Sequence, residues 1–397
     1  MATVQVNPEI LRWARETAGL TLEEAAHKLH VGAARGLSPN ERLAALEAGA
    51  EAPTRALLLK MSKSYRRPLL AFYMESPPVR GDRGVDFRRL PVEPSPAQEG
   101  LVETLLRDVK ARQAIVRAAL EDEEEAELLP FVGSVGMGVS VDVLCNSIRH
   151  ALGFDLSAFR RKKTIGDAFA YLRSLVESSG VFVLLIGDLG SYHSALSVDH
   201  FRGCALADPI APFIVINDQD AKGAWSFTLL HELAHIWLGQ TGVSASIVEA
   251  GVERFCNDVA ASLLLLDGDF GEFEMVPLAG FEDAVERINS FADTKNISRS
   301  MVAYQLFRRG VIDDQLWKEL QAEFRRLWVE SRAREREAAR SQEGGPTYYT
   351  VRRHHIGAAL VDLVSRMTKS GALTSTKAGK VLGVKPGNVY ELIGAGS

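Results

Sequence analysis

The spacing of apolar residues over the first 78 positions predicts a compact helical bundle. Apolar side chains recur at helical intervals from Glu9 to Thr17. Thr21 with Glu24 forms a capping box that opens a second helix, and Ser38 with Glu41 forms another that opens a third. Helix, turn, helix is the order found in helix-turn-helix DNA readers, whose second helix enters the major groove. We therefore expect a helix-turn-helix domain over residues 1–78.

The predicted recognition helix, SPNERLAALEAG, carries few side chains of the kind that read DNA. Asn40 and Arg42 lie near its start and are the candidate contacts to bases or phosphates. DNA readers normally present several Arg, Gln, Asn or Ser side chains at this place. Two interpretations stay open: DNA binding, or a helix-turn-helix fold used for dimerisation or for contact with a partner.

The middle of the chain alternates between helical and strand-like patterns. A polar-faced helix from Glu93 to about Leu129 precedes two more helices and three strand-like segments, GVFVLLIGD, FRGCALAD and PFIVIND. Strands that lead directly into a helix predict an α+β fold, predominantly helical, with a small sheet. The expected division is 1–78, a helical connector at 79–138, the α+β domain with a helical extension at 139–345, and a small helical domain at 346–397.

The last segment, LTSTKAGKVLGVKPGNVYELIG, again predicts helix, glycine-containing turn, helix. Lys377, Lys380 and Lys385, together with Asn388 and Tyr390, make it more basic than the N-terminal pair of helices. A second nucleic-acid-binding module is one interpretation. A small packing or oligomerisation domain is the one the sequence favours.

Composition narrows the class of protein. The net charge of −5 gives no global case for nucleic-acid binding, so that any such argument must be local. The three cysteines, Cys145, Cys204 and Cys256, form no Cys-x-x-Cys pair and are expected to be reduced and structural. No apolar run reaches the roughly 20 residues of a membrane span, and the N-terminus does not resemble a secretory signal. We expect a cytoplasmic protein that does not enter a membrane.

The candidate chemistry lies in FTLLHELAHIWLG. His231 and His235 are four residues apart, which puts both imidazoles on one face of a helix, where they can bind one ion. Glu232 lies beside that face, as expected for a general base that contacts water and not the metal. The alternative is a buried helix whose histidines are satisfied core residues.

A catalytic zinc site needs a third protein ligand. The segment VEAGVERFCNDVAASLLLL predicts a second amphipathic helix, with Glu253 as the ligand and Glu249 as the fallback. Asn257 is the candidate for orienting a ligand imidazole. Buried histidines and glutamates are costly without an ion, so the sequence predicts bound Zn²⁺ and peptide hydrolysis.

The residue that would stabilise the oxyanion of the reaction is left open by the sequence. The candidates are Tyr192, His193, His200 and Tyr304.

The ordered motifs resemble a known family. An N-terminal helix-turn-helix is followed by VDFRRL, then by RGCALADPIAPFIVINDQDAKGAWSFTLLHELAHIWLG and ERFCNDVAASLLL. This combination resembles XRE-type regulators fused to an ImmA/IrrE-type zinc metallopeptidase. The chain departs from that pattern in the stretch HVGAARG before the recognition helix, and in SLLLLDGDF, where a proline often follows the leucines.

The resemblance implies a gluzincin-like site with His231, His235 and Glu253 on zinc and Glu232 as the base. It also implies a role in transcription or stress control. We expect a zinc-dependent, site-specific regulatory endopeptidase that cleaves a partner such as a repressor encoded nearby. The alternative is an antitoxin or transcriptional regulator that acts on a toxin or other partner by binding alone. DNA and a second copy of the chain are the other partners considered.

Overall fold

The computed structural model describes residues 6–34, 36–78, 95–190, 194–240, 247–341, 345 and 347–394. These residues form two compact units. The first contains the described residues of 1–82, 88–110 and 188–201, and the second those of 111–187 and 202–397. The four-part division expected from the sequence stays a prediction.

The first unit is helical, and its helix starts follow the predicted caps. Both capping boxes are formed: Glu24 N donates to Thr21 Oγ1 over 3.2 Å, and Glu41 N donates to Ser38 Oγ over 3.3 Å. Its elements are α1 (Pro8–Glu16), α2 (Leu22–Lys28), α3 (Pro39–Glu47), α4 (Arg55–Ser64) and a 3-10 helix (Leu69–Tyr73).

The core of the first unit includes a buried ion pair. Arg15 Nε donates to Glu47 Oε1 over 2.7 Å, and the two side chains are 11% and 4% exposed. They lie among fully buried apolar residues of the helices, among them Ile10, Leu43 and Met61. Loss of either charged partner would leave the other buried and uncompensated, so this pair joins α1 to α3.

The connection between α2 and α3 is longer than a helix-turn-helix turn. Ten residues separate Lys28 from Pro39, whereas the motif uses three or four. The DNA-reading role of the first unit stays a prediction.

One long helix, α5 (Pro96–Asp122), contributes residues to both units. The second unit is otherwise built from α6 (Val141–Leu152), α7 (Leu156–Arg160), α8 (Ile165–Ser178), α9 (Lys222–Trp237), α10 (Ile247–Leu264), α11 (Gly271–Met275), α12 (Phe281–Lys295), α13 (Arg299–Arg308), α14 (Asp314–Ser341), α15 (Tyr348–Ile356), α16 (Ala358–Ser370), α17 (Ser375–Leu382) and α18 (Val389–Gly394). Short 3-10 helices precede α11 (Asp267–Phe270) and α18 (Pro386–Asn388).

A small mixed sheet supports the second unit. Its strands are β1 (Phe182–Leu185), β2 (Gly203–Leu206) and β3 (Phe213–Ile216), in the order β1-β3-β2. β1 runs parallel to β3, and β2 runs antiparallel to it. The predicted α+β character, helical with a small sheet, is confirmed. Among the described residues β2 pairs only with β3, so it is an edge strand.

The helix α15 is joined to the sheet by Arg173, a buried arginine of α8. Arg173 Nη1 donates to His354 O over 2.6 Å, and its Nη2 donates to Val183 O of β1. Burial lowers the pKa of Arg173, although Glu177 opposes this. Gly357 has a φ of +90°, and a Cβ there would lie 2.1 Å from Glu177 Oε1. Only glycine fits at this junction.

No helix among the described residues is long and apolar enough to cross a membrane.

Candidate metal centre

The helix α9 lies in the core of the second unit. Almost every residue from Trp225 to Trp237 is buried, because the helix is apolar on nearly all faces. The carbonyls at its C-terminal end are satisfied by another segment: Gly133 N donates to Ile236 O over 3.0 Å, and Val135 N donates to Trp237 O over 3.2 Å. Phe131 stacks on Trp237 with ring centroids 4.2 Å apart. These contacts fasten the last turn of α9 to residues 131–135.

Two histidines of α9 and one glutamate of α10 converge. His231 Nε2 lies 3.1 Å from Glu253 Oε2, and His235 Nε2 lies 3.2 Å from Glu253 Oε1. The two Nε2 atoms are 3.2 Å apart. The side chains of His231 and His235 are 2% and 5% exposed, and that of Glu253 is 13% exposed. Packing of α10 on α9 therefore brings together the three predicted ligands, in a site with little access to water.

The separations fit a tetrahedral zinc ion. Ligand atoms about 2.0–2.1 Å from zinc at tetrahedral angles lie about 3.3 Å from each other. Hydrogen bonds alone satisfy the cluster poorly. If both Nε2 atoms carry protons for Glu253, two N–H groups face each other at 3.2 Å. If one of the two Nε2 atoms carries no proton, that nitrogen cannot donate a hydrogen bond to the Glu253 oxygen it faces. A shared cation removes this conflict, so His231, His235 and Glu253 are suited to hold Zn²⁺.

The electrostatics also favour a cation. Burial would raise the pKa of Glu253, but hydrogen bonds and charge from His231 and His235 lower it to about 2. Burial would lower the pKa of His235, whereas Cys256, Glu253 and Glu232 together raise it well above its ordinary value. Burial raises the pKa of the Cys256 thiol. The centre thus holds an ionised Glu253 carboxylate beside a His235 imidazole whose surroundings favour positive charge.

Glu232 lies between the face of α9 that carries His231 and His235 and the edge strand β2. Its side chain is 3% exposed. A Cβ built on Gly203 of β2 would lie 2.9 Å from Glu232 Oε1, 2.7 Å from Thr228 Cγ2 and 3.0 Å from Val215 O. The absence of a side chain at Gly203 therefore makes room for the Glu232 carboxylate. Sequence reasoning missed Gly203, although a glycine inside a strand often marks such a close approach.

The other predicted site residues do not all lie at this centre. Asn257 is half-buried, and its buried Oδ1 accepts no hydrogen bond from any described residue, so its orienting role stays a prediction. His200 belongs to the first unit, and Tyr304 is 39% exposed beside Trp317. The remaining candidates lie outside the described residues, or their side chains do: Tyr192, His193 and Glu249. The oxyanion-stabilising residue stays open.

The two DNA-contact candidates are placed on α3. Asn40 is exposed, whereas Arg42 Nη1 donates to Gly32 O over 2.6 Å. Arg42 therefore holds the long connection between α2 and α3. DNA contact by either residue stays a prediction.

Residues 179–306 match the family model of the IrrE N-terminal-like domain, Peptidase_M78. That stretch runs from just before β1 to α13, and it contains Glu232 and all three zinc-ligand candidates. The match supports the ImmA/IrrE part of the resemblance, and this family consists of zinc metallopeptidases. Both predicted helix-turn-helix segments lie outside this stretch. Comparisons with curated proteins and with solved structures found no match.

Proposed function

We propose that this protein is a zinc-dependent, site-specific endopeptidase that cleaves a partner protein, such as a transcriptional repressor, in transcription or stress control. The observation that carries this proposal is the convergence of His231, His235 and Glu253 beside a buried Glu232. Burying a carboxylate is costly, and Glu232 is placed where a general base would be needed. A protein that acts only by contact needs no general base at this place.

The roles of the chain's own groups follow from their positions. His231, His235 and Glu253 would hold the ion. Zn²⁺ in such a site acts as a Lewis acid on a carbonyl oxygen and lowers the pKa of water towards about 7. Glu232 would accept a proton from the water whose oxygen adds to the carbonyl carbon, and would pass that proton to the amine nitrogen that leaves when the C–N bond breaks. The nearly closed surroundings keep other water out and strengthen these electrostatic interactions.

The edge strand β2 is the proposed site for the substrate backbone. Among the described residues its second edge is unpaired, and Gly203 on this strand lies against Glu232. An extended peptide can add to such an edge through main-chain hydrogen bonds. The scissile bond would then lie close to Glu232, with side-chain pockets next to the strand deciding which sequences are accepted.

Co-expression with the proteins encoded by adjacent genes tests the proposal. Wild type, E232Q and E272Q are compared, and each partner is measured by intact mass spectrometry. Glu272 is exposed on α11, so E272Q controls for the loss of one carboxylate. We expect a partner to be cut at one bond by wild type and E272Q and to stay intact with E232Q.

Other outcomes would overturn the proposal. A partner cut equally with E232Q would show that another protease is responsible. A partner bound intact by both wild type and E232Q would assign the chain to regulators that act by binding, such as antitoxins.

A further inference from the structure

The C-terminal helices contain a tight helix-turn-helix. α17 begins after Thr374, whose Oγ1 accepts from Lys377 N over 3.3 Å, and it ends at Leu382. Gly383 follows with a φ of +64°, and Val384 N donates back to Gly379 O over 2.9 Å. The next helix begins at residue 386. Three residues thus form the turn, and one of them is a left-handed glycine, as the motif requires.

Close packing across this turn requires a second glycine, Gly379. A Cβ on Gly379 would lie 2.8 Å from Val384 O and 3.2 Å from Pro386 N. The turn therefore crosses directly over α17 at that position, and a larger residue would push the two helices apart. Val381 and Leu382 on the first helix and Val389 and Leu392 on the second are fully buried. The two helices form one rigid pair with a shared core.

Charge in this domain differs from charge in the whole chain. Residues 347–394 contain seven Lys and Arg against two Asp and Glu, a net charge of +5, whereas the chain carries −5. A local basic surface on an acidic protein is the electrostatic signature of a nucleic-acid site. The helix-turn-helix itself, residues 374–394, carries three Lys against one Glu, a net charge of +2.

The basic residues divide into internal and outward-facing groups. Arg352 Nη2 donates to Leu382 O and Gly383 O, each over 3.0 Å, and Arg353 Nη1 donates to Leu392 O over 2.9 Å. These arginines cap the ends of α17 and α18. The lysines of the motif are exposed: Lys377, Lys380 and Lys385.

The exposed face of the second helix carries side chains suited to DNA. Tyr390 is 61% exposed although it is a large aromatic residue, and Asn388 is half-exposed near the start of the helix. Asparagine side chains pair with adenine in the major groove, and tyrosine hydroxyls bond to phosphates. The only acidic residue on this helix, Glu391, accepts a hydrogen bond from Tyr349 and so faces the neighbouring α15.

The N-terminal unit is less suited to binding DNA than these C-terminal helices. There the helices α2 and α3 are ten residues apart, and Arg42 is used to hold their connection. We propose that the C-terminal helices α17 and α18 are the DNA-binding module of this protein, and that they bind duplex DNA through Lys377, Lys380, Lys385, Asn388 and Tyr390. This replaces the packing role favoured by the sequence, and it does not depend on the metal centre.

Fluorescence anisotropy on the full-length protein tests this assignment. The probe is a labelled duplex of about 30 base pairs and random sequence, at salt concentrations from about 50 to 200 mM. K377Q/K380Q/K385Q is compared with K28Q/R55Q/K63Q, which removes three exposed positive charges from the N-terminal unit. We expect the C-terminal variant to weaken binding at least tenfold and to reduce the salt slope by about 3, since each phosphate contact contributes about 0.9.

The N-terminal variant should bind within threefold of wild type. The proposal is overturned if wild type does not bind duplex DNA at low salt, or if the N-terminal variant loses as much affinity as the C-terminal one. Equal, lysine-dependent binding of single-stranded RNA of the same length would also overturn it, because the motif reads a duplex groove. If the triple lysine variant melts early, N388A and Y390A replace it, and unchanged affinity in both would count against the assigned surface.

Discussion

The close approach of Gly203 to Glu232 leads to a quantitative prediction for G203A. The added Cβ would lie 2.9 Å from Glu232 Oε1 and 2.7 Å from Thr228 Cγ2, whereas ordinary contacts begin at 3.4 Å. Val215 O, 3.0 Å away, belongs to the central strand β3 and cannot yield without breaking the sheet. Glu232 must therefore move by about 0.5 Å or rotate away from β2.

A displacement of this size affects catalysis more than metal binding. Catalytic groups must be held within about 0.5 Å of their productive position, and a misplacement of 1 Å can cost about 100-fold in rate. We expect G203A to cleave the partner protein about 10- to 100-fold more slowly in kcat. Zinc content should stay near one per chain, because none of the three atoms nearest to the added Cβ belongs to a predicted ligand.

The assay measures the initial cleavage rate by intact mass spectrometry and bound zinc by elemental analysis. C204A is the matched control, since its side chain points to the opposite face of β2. A G203A protein that keeps its zinc and cleaves as fast as C204A would refute the assigned contact. Loss of zinc together with activity would show instead that the strand supports the ligands.

Three further predictions concern stability. Zinc at about 1,000 times its Kd adds about 4 kcal/mol to the stability of the folded state, so EDTA should lower the Tm of wild type by roughly 10 °C and leave H235A unchanged. D269N should lower the free energy of unfolding by about 3 kcal/mol at pH 7, because Asp269 pairs with Arg160 and Lys295. G357A should lower it by about 2 kcal/mol or more, since its Cβ would meet Glu177 Oε1 at 2.1 Å.

The pH dependence of D269N has a definite sign. Burial would raise the pKa of Asp269, but hydrogen bonds from Arg160, Lys295 and the Leu266 N–H lower it. A lowered pKa in the folded state gives stability that is present above the unfolded pKa of about 3.9 and is lost as pH falls through the folded value. The difference between wild type and D269N in urea unfolding should therefore shrink below about pH 4. If the difference in stability between wild type and D269N stays constant with pH, the ionised Asp269 carboxylate is not its cause.

The remaining two stability predictions have their own controls. G371A is matched to G357A: Gly371 has a φ of +87°, but a Cβ there meets no atom within 4 Å. Equal losses in the two variants would show that backbone strain, and not the collision with Glu177, destabilises G357A. For zinc, an EDTA-induced fall in the Tm of H235A as large as that of wild type would show that metal binds elsewhere.

Local chemistry accounts for the helices that the sequence predicted. Caps and apolar periodicity depend on residues within about four positions of each other, so the helix starts at Thr21 and Ser38 could be predicted directly. The same reasoning puts His231 and His235 on one face of α9. These features needed no knowledge of the rest of the fold.

Tertiary structure decided everything that depends on which elements meet. Glu253 reaches the histidines only because α10 packs on α9, and Gly203 faces Glu232 only because β2 is the edge strand above that helix. The sequence also does not indicate that Arg42 holds the loop before α3 or that Arg352 caps the end of α17. Spacing along the chain determines local geometry, whereas contacts between distant segments follow from the packing of whole elements. For that reason the sequence could name His231, His235 and Glu253 as candidates, whereas their convergence and their surroundings follow from the packing.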